Sequence, residues 1–121
     1  MKFSYKEFIS KEIFNNICEI KINTPEIIKS EAISRKRRTN ITKDGRLIIL
    51  AADHNARMIT GYNNDPIRMG NRHELLSSIV RILSCNEIDG LEGTPDIFED
   101  LLILNYLSKK SSGIDFLSDK L

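Results

Sequence analysis

Six consecutive apolar residues, Leu47-Ile48-Ile49-Leu50-Ala51-Ala52, run straight into Asp53-His54-Asn55-Ala56-Arg57. A short apolar run bounded by polar residues reads as a strand buried on both faces, as in a parallel sheet beneath helices, although a buried helix segment shares its periodicity. Asp44-Gly45, just ahead of the run, argues for the strand. In folds that alternate strands with helices, ligands collect at the carboxyl ends of the strands, where the loops are free of packing duties and the strand fixes their geometry. Asp53 and His54 fall at that position.

The flanking sequence reads as helices. Ser4-Tyr5-Lys6-Glu7 has the spacing of a capping box, and Phe8, Ile9, Ile13, Phe14, Ile17 and Cys18 recur on one helical face through about Glu19. Thr24-Pro25-Glu26 repeats the start signal for a second helix over about 25–36, with proline in the first turn. This helix leads into Ser34-Arg35-Lys36-Arg37-Arg38, a basic cluster that lacks interleaved aromatics. A solvated helix end, favoured by the macrodipole, explains it better than a nucleic-acid contact.

After the strand, 58–70 holds Gly61, Asn63-Asn64-Asp65-Pro66 and Gly70 without any apolar period, which predicts a long loop on the active face. Asn71-Arg72-His73-Glu74 fits a capping box, and Leu75, Leu76, Ile79, Val80, Ile82 and Leu83 form the apolar face of the next helix, ending near Cys85. His73, inside that box, reads as structural. A second short strand over 88–91 and a helix capped by Thr94-Pro95-Asp96, running to about Lys109 and ended by Ser111-Ser112-Gly113, complete the order. Strands alternating with helices predict parallel pairing with right-handed crossovers.

Composition narrows the function classes. The chain has 121 residues, 40% hydrophobic and 29% charged, with a net charge of +1, so nothing global draws it to nucleic acid or an acidic surface. No apolar run approaches the roughly 20 residues that span a bilayer, and charges at Lys2, Lys6 and Glu7 occupy the place of a signal peptide's apolar segment, so the expected address is the cytoplasm. Cys18 and Cys85 are too few for a zinc motif or a disulfide framework and read as small buried hydrophobes.

Four residues stand out as site candidates. Asp53 and His54 share a strand end, where a carboxylate and an imidazole could exchange a proton or ligate a metal, although adjacent pairs also arise by chance. Arg57 could bind a phosphate or carboxylate bidentately, or pair with Asp53. Glu92 lies at the end of the second strand, whereas Asp96 is better explained as a first-turn helix charge.

These residues also carry a resemblance. Arg37-Arg38-Thr39, Asp44-Gly45-Arg46-Leu47 through Ala51-Ala52-Asp53-His54, Ala56-Arg57, Asn71-Arg72, Glu74-Leu75-Leu76, Asp89-Gly90, Gly93-Thr94, Asp96-Ile97 and Glu99-Asp100-Leu101-Leu102 follow in order over about 35–121. In these motifs the chain resembles the class I aldolase-like (β/α)8-barrel proteins of bacterial inositol-catabolism gene clusters, relatives of deoxyribose-phosphate and archaeal-type fructose-bisphosphate aldolases. The resemblance implies an α/β fold: the first two βα units of a TIM barrel over 39–121, cut short, preceded by a two-helix extension over 1–38.

The same resemblance implies retro-aldol cleavage of a sugar phosphate through a Schiff base, with no metal or cofactor. Asp53, with His54 beside it, would assist proton transfer or orient a hydroxyl. The Schiff-base lysine and the phosphate loops would lie beyond this chain, since Lys43, Lys109 and Lys120 are not at strand ends. The fragment alone is then inactive. Its expected partners are the sugar phosphate and either a second copy or a complementing barrel fragment, with no nucleic acid and no membrane. A small metal-dependent hydrolase using Asp53 and His54, and an inactive or split-barrel subunit, are the alternatives.

Overall fold

Ile9 interrupts the first helical stretch. The computed structural model, which describes residues 3–121, begins with α1 (Tyr5–Phe8) and α2 (Lys11–Asn23), separated by extended backbone at Ile9 and Ser10. Ser4 makes no side-chain cap; Ser10 does, its hydroxyl accepting from the Ile13 N–H at 3.2 Å. Ile9 is buried, and its carbonyl accepts from His73 Nε2 at 2.6 Å. The expected single helix through Glu19 is therefore two, because a serine nearer the apolar face starts the helix and a tertiary partner claims the carbonyl at the break. His73 is structural as expected, with its ring stacked on Phe14 at 4.6 Å.

Thr24 and Pro25 turn the chain into α3 (Glu26–Ser34). The strand β1 (Ile49–Ala51) follows, then a 3₁₀ turn (His54–Arg57), a loop that ends in a second 3₁₀ turn (Arg68–Gly70), and α4 (Arg72–Leu83), capped by Asn71 Oδ1 accepting from the Glu74 N–H at 3.1 Å. Next come β2 (Gly90–Glu92) and α5 (Pro95–Ser112), which ends at Gly113 in the left-handed region, φ 74°. The two strands pair in parallel, Ile49 with Gly90 and Ala51 with Glu92.

The core lies between helices. Leu76, Ile79 and Leu83 of α4 recur at helical spacing and meet Ile97, Leu101, Ile103 and Leu104 of α5. Ile17 of α2, Phe116 and Leu117 join them, while α3 packs along α5 and α1 along α4. The strands reach this core through Leu50 and Leu91, partly buried against it, and Ala52, just past the end of β1, is buried in it.

This arrangement overturns the expected architecture. The chain is mostly helical, with two parallel strands of three residues each, and the first units of a TIM barrel are not evident. Leu47, Ile48 and Ile49 are 43%, 53% and 42% exposed rather than buried on both faces. The reason is the packing: the helices bury their stripes on one another, so the sheet has one covered face and one open face. Both cysteines are exposed as well. Cys18 sits beside the inward Ile17 on the solvent side of α2, and Cys85 falls beyond the end of α4.

The basic cluster is also not simply solvated. Arg38, 9% exposed at its side chain, donates to the Asp119 carbonyl at 2.8 Å, the Ile41 carbonyl at 2.9 Å and Asp89 Oδ1 at 3.1 Å. Arg35 reaches the Lys120 carbonyl. Asp89 Oδ2 in turn accepts from the Ile48 N–H at 2.8 Å. That backbone bond, then Arg38, holds the Asp89 carboxyl below its ordinary range. The tail they anchor pairs with the second strand's segment: Leu121 donates to the Asp89 carbonyl at 2.9 Å and accepts from the Leu91 N–H at 3.0 Å. A side chain at Gly90 would meet the Leu121 carbonyl at 2.6 Å, so this approach requires glycine.

A buried polar cluster ties α5 to both ends of the chain. Asn105, 1% exposed, donates to Glu31 Oε1 and Asp115 Oδ1, both at 2.9 Å, and its carbonyl oxygen accepts from the Phe116 N–H at 2.9 Å. Lys109 sits 2.6 Å from the same Glu31 oxygen. Among the described residues, no helix is long and apolar enough to cross a membrane.

Candidate functional site

The ends of the two strands are locked together by the Ala52 N–H donating to the Glu92 carbonyl at 2.8 Å. Directly after Ala52 the backbone leaves extended geometry, and the 3₁₀ turn His54–Arg57 begins with Asp53 as its cap residue. The turn brings Arg57 back over Asp53, placing its Nε and Nη2 each 2.9 Å from Asp53 Oδ2. Of the two readings open for Arg57, the structure realises the pairing with Asp53. The Asp53 side chain is 23% exposed and that of Arg57 66%, so the carboxylate is sheltered and the guanidinium faces water. Met58, a non-glycine residue in the left-handed region at φ 63°, closes the turn.

His54 goes elsewhere. It lines a cleft of about 330 Å³ between β1 and α4, walled by Leu50, Leu75, Ile79 and Ile82 and flanked by Arg68 and Glu74. His54 Nε2 and Asn55 Oδ1 are buried without a hydrogen-bond partner among the described residues. Asp53 and His54 are thus neighbours in sequence whose side chains serve different surroundings. Glu92 is exposed at the end of β2.

The loop over 58–70 is ordered by its own contacts. Tyr62 and Asp65 exchange backbone hydrogen bonds at 2.8 and 3.0 Å, and the Met69 N–H reaches the Thr60 carbonyl at 2.8 Å. Arg68 lies over the Tyr62 ring, 5.1 Å from its centroid, and its Nη2 is 3.2 Å from Glu74 Oε1. The hydrogen bond to Glu74 raises the Arg68 pKa.

Two acids on α5 share one arginine. Arg72 Nη1 lies 2.9 Å from Asp96 Oδ2, and its Nε and Nη2 lie 2.5 Å from Asp100 Oδ2, while Lys21 Nζ approaches Asp100 Oδ1 at 2.5 Å. Burial alone would lower the Arg72 pKa, but the bonds to Asp96 and Asp100 outweigh it and the net shift is upward. Asp96 is held below its ordinary range by the Thr94 hydroxyl, then by Arg72. Asp96 is therefore a first-turn charge in an ion pair.

Sequence reasoning missed the Arg72–Asp100 and Arg68–Glu74 pairs. A signal for the first was present: Asp100 lies between Ile97, Leu101 and Leu104 on an apolar helix face, where an acid demands a buried cation. Arg68–Glu74 left no such signal, because the loop's path decides which side chains meet.

The described family Cgl0159-like matches residues 45–113, more than half of the chain. The chain belongs to the Cgl0159-like family. The crystal structure of Cgl0159 from Corynebacterium glutamicum is similar to it, with 34% identity over 93% of this chain and a TM-score of 0.77. The match covers 35% of that protein, so the chain spans about a third of this Cgl0159-like relative's length. No curated protein matches it. Asp53, His54, Arg57, Glu92, Arg68, Arg72, Glu74, Asp96 and Asp100 all lie within the residues matched to the Cgl0159-like family.

Proposed function

We propose that this chain is part of a carbon–carbon lyase of the class I aldolase type, in which Asp53 takes the proton from a substrate hydroxyl, and that the chain alone is inactive. The observation that carries the reading is the seating of Asp53 at the carboxyl end of a parallel strand, with one oxygen fixed by Arg57 at 2.9 Å. Arg57 orients the carboxylate and leaves Oδ1 to accept a proton. In the proposed step, the hydroxyl proton passes to Asp53 and the O–H electron pair forms the new carbonyl. The carbon–carbon bond breaks, and its electrons flow into an iminium formed with an amine elsewhere in the full protein.

That amine is not supplied at this strand end by the lysines whose partners are known. Lys21 is with Asp100, Lys36 with Asp119 and Lys109 with Glu31. Lys120 donates to the Cys85 carbonyl at 3.0 Å, ahead of β2, and burial lowers its pKa. A sugar phosphate is the proposed substrate, with Glu92 available at the rim, His54 contributing from the cleft side, and the cytoplasm as the place of action.

No observation favours the metal-dependent hydrolase: Asp53 is engaged by Arg57, and among the described residues no group of three His, Cys, Asp or Glu side chains is placed to share an ion.

Borohydride reduction with dihydroxyacetone phosphate should leave this chain unmodified in mass spectrometry; a stoichiometric single-site adduct would refute the inactivity of the isolated chain. Combined with the polypeptide corresponding to the rest of Cgl0159, the chain should gain lyase activity that Asp53→Asn lowers by about 10²–10⁴-fold. Full activity of that variant would remove Asp53 from the mechanism.

A further inference from the structure

The two edges of the sheet differ. On the β2 side, the Leu91 N–H donates to the Leu121 carbonyl at 3.0 Å and the Asp89 carbonyl accepts from the Leu121 N–H at 2.9 Å, so the chain itself covers that edge. Successive residues of a strand turn their backbone groups to opposite edges. The Ala52 N–H donates to the Glu92 carbonyl and the Ile48 carbonyl accepts from the Asp89 N–H, both at 2.8 Å, so Ile48 and Ala52 face β2 and Leu50 lies in the same phase. Ile49 and Ala51 therefore turn their N–H and C=O groups to the other edge, where these groups have no hydrogen-bond partner among the described residues.

This open edge is apolar. Leu47, Ile49 and Ala51 are exposed, and neither charge nor proline interrupts 47–52. Charges and prolines are what keep a natural edge from recruiting another strand. Two strands of three residues are also too little sheet to stand without further strands or helices, and the helices here cover one face.

The solved relative shows how much chain accompanies this fold. Its match with this chain, at a TM-score of 0.77, takes in 93% of this chain and 35% of Cgl0159, so the greater part of that protein lies outside the shared fold. A second copy of this chain offers the edge only another three-residue strand, far below the roughly 20–30 residues a side of a stable interface, and associates weakly there.

We propose that the β1 edge receives a strand from a polypeptide equivalent to the rest of Cgl0159, which hydrogen-bonds the backbone of Ile49 and Ala51 and lays apolar side chains beside Leu47 and Ile49. This docking surface goes beyond the lyase reading, since it requires neither the Asp53 carboxylate nor a Schiff-base amine.

The test is co-expression of the chain with the polypeptide corresponding to the rest of Cgl0159, followed by affinity capture and amide hydrogen exchange. The two should purify together in equal amounts, and exchange at Ile49 and Ala51 should slow by at least about tenfold relative to the chain alone, while Ala52, already bonded to Glu92, should be slow in both. Ala51→Pro removes one outward N–H and keeps the bonds to β2, so the dissociation constant, read by diluting the purified complex, should rise about tenfold. Asp53→Asn should assemble as the unaltered chain does while lacking lyase activity, which separates the docking from the chemistry.

The proposal is overturned if the two polypeptides do not purify together, if the rest of Cgl0159 stays insoluble in the presence of this chain, or if they assemble with no slowing at Ile49 and Ala51. It is equally overturned if those two amides are protected by rising concentration of the chain alone and the rest of Cgl0159 does not displace that association, which would place a second copy on the edge. Should Ala51→Pro fail to fold, Leu47→Lys, which sets a charge at an exposed position ahead of β1, should weaken the complex by a similar factor, and unchanged affinity would count against the proposal.

Discussion

Asn105→Leu removes an amide that four partners share while nearly keeping its volume. The variant deprives Glu31 Oε1 and Asp115 Oδ1 of donors at 2.9 Å, and the Phe116 and Leu117 N–H groups of an acceptor at 2.9 and 3.4 Å. The losses are unequal. Glu31 retains Lys109 at 2.6 Å, and the Leu117 N–H retains Asp115 Oδ1 at 3.2 Å. The Phe116 N–H is left with nothing. An unsatisfied buried N–H costs about 1–3 kcal/mol and each hydrogen bond to a charged group contributes about 1.5–3 kcal/mol, so with partial compensation the total is about 3–5 kcal/mol. For a slope of about 1.5 kcal/mol per molar urea, the midpoint should fall by about 2–3 M with an unchanged slope. Urea denaturation followed by far-UV circular dichroism reads this directly. Asn105→Asp provides the internal control, because it sets a third carboxylate against Glu31 and Asp115: it should be worse than the leucine variant near about pH 8 and approach it near about pH 4, as the new acid protonates. A midpoint shift below about 0.5 M for Asn105→Leu would show that the cluster is solvated in solution and refute the argument.

Gly90→Ala should destabilise by about 1–3 kcal/mol through its collision with the Leu121 carbonyl, and hydrogen exchange at the Leu91 amide should accelerate; unchanged protection would mean that the tail does not pair there. The carboxyls of Asp89 and Asp96 are lower in the fold than in the unfolded chain, so their stabilisation is present above about pH 4–5 and lost as pH falls through their folded values. Urea midpoints taken across this range should decline toward acid, and Asp89→Asn should flatten the decline; an equal slope in the variant would exclude Asp89 as a contributor. The open side of β1 and the residue just ahead of it, Ile48 at 53% exposure, should drive self-association at micromolar concentration that Ile48→Lys relieves, and sedimentation showing a compact monomer of the unaltered chain would contradict this.

What the sequence disclosed was mainly local. The Asn71 cap, the stop at Gly113 and the inward stripe of α4 all depend on residues within a few positions of one another, so spacing alone reveals them. The fold class did not follow from these signals. An apolar run such as Leu47–Ala52 indicates a preference for burial but carries no record of whether helices will cover both its faces, and here they cover one another. The same blindness to distant partners misassigned Arg38, which reads as a surface cation until Asp89 and Asp119 arrive beside it. At the candidate site, the strand-end position of Asp53 was legible, whereas the separation of His54 from it was not, since that depends on how a 3₁₀ turn rotates two adjacent side chains.

The convergence of Arg38, Ile48, Asp89 and Leu121 also sets an order of events during synthesis. Arg38 bonds to Asp89 across 51 positions and to Asp119 across 81. At about 5–20 residues per second, a ribosome needs about 2–6 s to go from Asp89 to Leu121, and during that time the Asp89 carbonyl and the Leu91 N–H have no tail to bind. The helical core between α4 and the first turns of α5 can assemble in this interval, while the paired strands cannot be sealed. Nascent chains arrested just short of residue 119 should therefore be cleaved by protease between α3 and β1, and chains arrested after full emergence of residue 121 should be protected there.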